Sequence, residues 1–237
     1  MNENTLLPMT LFKYKSPTPF EHIADILINE RLYCAPYDQL NDPFEGIFME
    51  SIQMGDRKFL VETTPEDLID PEDALKARVC SLSSDGSSSL LWSLYAQRLE
   101  GICFEVDCTD LQPAPHKINY TPDIPRFDKP GFAATATYGL LHKSKEWQFE
   151  REYRLIGANE YISIQSRLQR VILGPRCNKT IESAIRKLAP RGCDVCNAKL
   201  DRDRRAILAV GKANESCRCF SFLRNAIQRL FRLLHLN

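Results

Sequence analysis

The chemically richest residues of the chain crowd into KSKEWQFEREYRLI, Lys143 to Ile156, where three glutamates, two arginines and two lysines surround Trp147, Phe149 and Tyr153. From Trp147 onward, Trp147, Phe149, Arg151, Tyr153 and Leu155 alternate with Gln148, Glu150, Glu152 and Arg154. That period of two reads as a strand with one largely apolar face and one charged face. On it Glu150 and Glu152 share a side, and two such carboxylates can stabilise a developing positive charge and orient an acceptor. Helix is the competing reading, with Glu150 and Arg154 as an i,i+4 pair. The plain alternative to chemistry is a charge ladder of Glu150, Arg151, Glu152 and Arg154 at a sheet surface.

Two further groups have ligand-like residue types. Asn41, Asp42 and Glu45 lie in LNDPFEG, Leu40 to Gly46, where a side-chain oxygen can bond to the backbone and Pro43 fixes φ, so the segment reads as an Asx turn. The sharper alternative sets Asp42 and Glu45 beside Glu105 as oxygens for a divalent cation. Cys193-x-x-Cys196 and Cys217-x-Cys219 together offer the four thiolates of a structural zinc site, but the Cys-x-Cys half is an unusual spacing. Free cysteines are the expectation, and no metal is assigned.

These side chains need a scaffold, and its elements are readable. Leu11–Tyr14 reads as a strand, Phe20–Ile28 as an amphipathic helix and Arg31–Ala35 as the next strand. Lys58–Lys76 is acidic with two prolines and reads as a surface excursion with helical pieces. Val79–Ser83 is a strand, Leu90–Leu99 a helix stopped by Gly101 with Trp92 in or beside the core, and Ile102–Asp107 a strand. Pro113–Pro130 reads as a proline-bearing connection. Arg170–Pro175, the Lys179–Leu188 helix and Ala206–Val210 follow. The expected fold is a single mixed α+β domain of short strands over residues 1–215, with an amphipathic helix at residues 216–237. In that tail Phe222, Leu223, Ile227, Leu230 and Leu234 form an apolar stripe, suited to docking on the domain, pairing with a second copy as a homodimer, or lying on anionic lipid.

With 237 residues, 43% of them hydrophobic, the chain can bury a substantial core. Its 31 basic residues balance 31 acidic ones, so global charge gives no reason to expect a nucleic-acid or membrane partner. No run approaches the roughly 18 apolar residues of a membrane span, the start lacks a signal peptide's pattern, and nine cysteines are an odd number for a disulfide framework. A cytoplasmic location with reduced thiols is expected.

Taken in order, LFKY, LYCAPYDQLNDPFEG, LLWSLYAQRLEGICFEVD, KSKEWQFEREYRLI and RVILGPR resemble the bacterial family called domain of unknown function 2971, over roughly Leu11 to Arg176. Members usually carry a histidine before the tyrosine of the central helix and another before the following glycine. Here Leu94 precedes Tyr95 and Leu99 stands near Gly101, so any role of those histidines is lost. In layout the chain more distantly resembles the ADP-ribosyltransferase fold, with Glu150-Arg151-Glu152 similar to its Glu-x-Glu arrangement.

The resemblance implies an NAD-dependent transferase acting on nucleic acid or protein, with a role in phage defence or a stress response. Breaking the nicotinamide–ribose bond develops oxocarbenium character, which Glu152 would stabilise as the catalytic residue with Glu150 as its neighbour. Lys13 and Arg154 would meet diphosphate oxygens, Ser81 or Ser83 a ribose hydroxyl, and Tyr95 or Trp92 would stack on a ring. The competing class is a non-catalytic sensor or protein-interaction domain. Convergence of Lys13, Ser81, Tyr95 and Glu152 on one cleft separates the two.

Overall fold

Runs apolar on both faces are satisfied inside a covered sheet, and Ile102–Asp107, buried at Ile102, Cys103, Phe104 and Val106, is such a run. The computed structural model describes residues 9–64, 67, 77–127, 138–203 and 206–210. Its strands begin with β1 (Thr10–Lys15), β2 (Arg31–Tyr33), β3 (Ala35–Pro36), β4 (Phe48–Met54), β5 (Arg57–Thr63), β6 (Arg78–Ser83) and β7 (Ile102–Asp107). They continue with β8 (His116–Lys117), β9 (Asn119–Thr121), β10 (Arg126–Phe127), β11 (His142–Ser144), β12 (Glu152–Gly157), β13 (Tyr161–Ser163), β14 (Leu168–Leu173), β15 (Asp194–Asp201) and β16 (Ala206–Val210). The α-helices are α1 (Glu21–Asn29), α2 (Ser89–Leu94) and α3 (Lys179–Leu188). This is a single α+β domain.

The main sheet runs β16-β15-β14-β7-β1-β6-β12-β8, with β3 also paired to β6. Among the described residues only β14 and β15 pair parallel within it. Ile102, Phe104 and Val106 of β7 enter one core cluster with Leu11, Ile23, Ile26, Leu27 and Ile185, so α1 and α3 cover that face. Cys103 enters the other with Tyr14, Leu91, Trp92, Ile172 and Cys196, under α2. Trp92 is fully buried and donates its indole N–H to the Gly86 carbonyl at 3.0 Å, with its ring edge-on to Tyr14. The period-two alternation of β7 thus feeds two cores at once.

Local chemistry sets the ends of the helices. Asn178 caps α3 by accepting from the Thr180 amide at 2.8 Å, with Glu182 in the first turn and Arg186 and Lys187 in the last, the order the helix dipole favours. The helix expected over Leu90–Leu99 stops at Leu94, because Gln97, Arg98 and Leu99 all take positive φ. Gly101 does not serve as its cap. A Cβ there would stand 2.2 Å from the Lys15 carbonyl oxygen, so glycine lets the chain pass against β1.

Two further expectations are corrected. Lys58–Thr63 belongs to β5, paired with β4 through the two-residue Gly55-Asp56 turn in which Gly55 has φ +61°. The ribbon is largely exposed on both sides, so it lacks the apolar alternation that announces a strand. The remainder of that acidic segment lies mostly outside the described residues. Trp147–Glu150 is not strand: Lys145–Glu150 forms a 3-10 helix, Arg151 turns the chain with φ +47°, and the strand begins at Glu152. Among the described residues no helix is long and apolar enough to cross a membrane.

Candidate functional site

β1 holds β7 along six residue pairs but meets β6 at one alone, Phe12 with Ser83. Beyond that pair the strands part. A sheet opened this way leaves main-chain groups in search of partners, and Lys13 answers one of them by donating its ammonium to the Ser81 carbonyl at 2.8 Å. A cavity of about 440 Å³ fills the split, lined by Phe12 to Ser16 of β1 and its following turn and by Ser81, Leu82 and Ser83 of β6. Tyr95, Asn41, Lys143, Glu150, Glu152 and Arg154 complete its floor and wall.

Seven of the residues singled out from the sequence, Lys13, Ser81, Ser83, Tyr95, Glu150, Glu152 and Arg154, line this one cavity, whereas Trp92, Asp42, Glu45 and Glu105 do not. The path differs from the expected shared strand face. Glu150 ends a 3-10 helix and Glu152 begins β12, and the left-handed Arg151 between them turns its own exposed side chain outward to Asp85, 3.2 Å away. The result is a buried cluster and not a surface ladder: Glu150 is 5%, Glu152 4% and Arg154 0% exposed.

Lys143, unassigned from the sequence, joins the two carboxylates, 2.6 Å from Glu150 Oε2 and 3.2 Å from Glu152 Oε2. It opens the same charged stretch, seven residues before Glu150, but lies outside the strand read from Trp147 onward, and β11 brings it to the cluster through tertiary packing. Arg154 clasps Glu152 with Nε at 2.8 Å and Nη2 at 3.2 Å, donates Nη1 to the Leu140 carbonyl at 2.6 Å, and pairs with Glu45. Lys143 and Arg154 together donate three hydrogen bonds to the Glu152 carboxylate, most of its acceptor capacity. Among the described residues Glu150 accepts from Tyr95 and Lys143 alone, which leaves it capacity for a ligand hydroxyl.

Electrostatics follow this division. Burial drives the Glu152 carboxyl up, but Arg154 and Lys143 outweigh it and hold it down to about 2. For Glu45 burial prevails over the pull of Arg154, and its carboxyl is raised. Burial raises the Tyr95 phenol, with Glu150 adding to it, so Tyr95 stays protonated and donates. Lys15, also in the cavity wall, is pushed down to about 8 by burial and then by Lys13.

Other expectations resolve differently. Arg154 is committed to carboxylates and a carbonyl, so it has no free donor face for a diphosphate. Ser83 donates to the Glu150 carbonyl at 2.6 Å and accepts from Asp85 N, a scaffold role. Trp92 is sealed in the core, whereas Tyr95 lines the cavity together with Phe12, Tyr14 and Tyr33. Asp42 caps the Phe44 amide at 3.0 Å as an Asx turn requires, while Glu105 pairs with Arg170 at 3.1 Å and does not meet Glu45. Cys193 packs on one core cluster and Cys196 in the other; Cys217, Cys219 and residues 216–237 lie outside the described residues.

Family models, curated proteins and solved structures were compared with this chain, and none matches it. The fold and cavity define an α+β domain with a split sheet and a paired-carboxylate pocket.

Proposed function

We propose that the split-sheet cavity binds nicotinamide dinucleotide and that the protein is an ADP-ribosyltransferase-like enzyme of the domain of unknown function 2971 type, modifying a nucleic acid or a protein. The observation that carries this reading is the cavity's two ends. At one end Glu150 and Glu152 stand beside Lys143 and Arg154, and the Glu150 carboxylate, with acceptor capacity left over, is suited to a developing ribosyl cation. At the β1 end Lys13 and Lys15 stand without a carboxylate among the described residues.

Within this reading the roles of the glutamates are exchanged relative to the sequence expectation. Glu150, with open acceptor capacity and Tyr95 orienting it, holds the ribose hydroxyl and faces the cation. Glu152 positions Lys143 and Arg154. The engagement of Glu152 by Lys143 and Arg154 is also what a non-catalytic sensor would show, since a paired cluster makes a rigid binding floor.

Incubating pure protein with labelled dinucleotide, alone and with DNA, RNA or cell extract, tests the proposal. Free nicotinamide and a labelled acceptor are expected, and turnover should fall about 100-fold in Glu150→Gln, the worth of one charged contact in the transition state. Dinucleotide binding without release under every condition would instead establish the sensor.

A further inference from the structure

Lys15 has no described role, yet its surroundings are specific. It sits half-buried in the cavity wall, two residues from Lys13 on the same strand. The titratable groups that act on it are Lys13 and, from β6, the buried Cys80, whose thiol pKa is lowered chiefly by its bond with Cys34 and further by Lys13 and Lys15, and His22 of α1 borders the same cavity. Among the described residues neither lysine meets a carboxylate; Lys13 has only the Ser81 carbonyl. The nearest carboxylates of the cavity, Glu150 and Glu152, are already held by Lys143 and Arg154. A cation withdrawn from water without a counter-charge is costly, and proteins supply the missing partner from a carboxylate or a ligand.

We propose that Lys15 and Lys13 form a seat for a phosphate or diphosphate group, and that the ligand of this cavity is therefore phosphorylated. Two adjacent ammonium groups match a group carrying more than one negative charge better than a single carboxylate does. The pocket volume beyond the seat, walled by Phe12, Leu40, Leu91 and Tyr95, has room for the remainder of a nucleotide-sized ligand. The downward pressure on the Lys15 ammonium describes the empty seat, which an arriving anion relieves. The seat deepens the dinucleotide reading but stands on separate residues from the carboxylates.

Calorimetric titration with inorganic pyrophosphate, ADP-ribose and adenosine separates the possibilities. Pyrophosphate and ADP-ribose should bind the full chain, and Lys15→Met should weaken both at least 10-fold while Lys15→Arg restores most of the affinity. Circular dichroism and melting, expected to be no worse in Lys15→Met than in the parent, exclude misfolding as the cause. Undiminished ADP-ribose binding by Lys15→Met and Lys13→Met, or no binding of either phosphate probe by the parent, overturns the seat. If pyrophosphate binds through Lys15 but nicotinamide is never released, the seat stands and the transferase reading falls. If nicotinamide is released with an unchanged KM in Lys15→Met, the seat falls and the transferase reading stands.

Discussion

Glu152 and Lys15 are buried charges of opposite circumstance, and their response to pH should differ accordingly. The Glu152 carboxyl is held at about 2 in the folded chain against 4.5 for an ordinary glutamate. A depressed carboxyl contributes stability that is complete above about 4.5 and is lost as pH falls toward 2. Glu152→Gln should flatten that acid limb. Because it strands Arg154 and Lys143 without their shared partner, it should also cost about 3 kcal/mol in denaturant titration, well above the ~1 kcal/mol of a surface ion pair. A loss below ~1 kcal/mol would show that the cluster is not the tight network described. Lys15 works in the other direction: lowered to about 8 from 10.5, it makes the unfolded chain the stronger proton binder between those values. Stability should rise with pH across that window, and Lys15→Met should abolish the rise and raise the melting temperature at neutral pH.

At the scale of elements, the decisive feature is the break between a 3-10 helix and β12 at Arg151. Its left-handed backbone, with φ +47°, is what brings Glu150 and Glu152 to the same lysine although no regular element holds both. A β-branched residue is poorly tolerated there, so Arg151→Val should cost about 1–2 kcal/mol. Arg151→Gly removes an exposed contact to Asp85 and nothing else, and should change stability by less than about 1 kcal/mol. Equal losses from the two substitutions would mean that the Asp85 contact, and not the backbone turn, matters. The same measurement on nicotinamide release ties this turn to function: Val should lower turnover and Gly should not.

For the whole molecule, the split between β1 and β6 and the tail at residues 221–237 set the two questions of binding and association. If residues 221–237 form the amphipathic helix expected from the sequence, Phe222, Leu223, Ile227, Leu230 and Leu234 share a face whose exposure to water costs roughly 25 cal/mol per Å². Deleting Ser221–Asn237 should reduce solubility or shift the oligomeric state in light scattering. Unchanged scattering, together with binding of the intact protein but not the truncated one to anionic vesicles, would assign the stripe to lipid instead.

The sequence by itself determined the α+β class, the β1-α1-β2 opening, β7 and α3, because each is announced by a local period, cap or apolar run. Of the residues that line the cavity it named seven, Lys13, Ser81, Ser83, Tyr95, Glu150, Glu152 and Arg154. It did not determine how they meet. Alternation over Trp147–Leu155 looked like one strand because a 3-10 turn ending in a left-handed residue returns side chains to one side as a strand does. Lys143 lies outside the strand read from Trp147 onward, and it is β11 that brings it to the two carboxylates. Whether Glu152 is exposed or buried, and whether Arg154 is free or spent, depends on Glu45 and Leu140, which lie far from it along the chain. The cavity itself exists because β1 follows β7 and leaves β6 after one residue pair, a choice of register that only the assembled sheet makes.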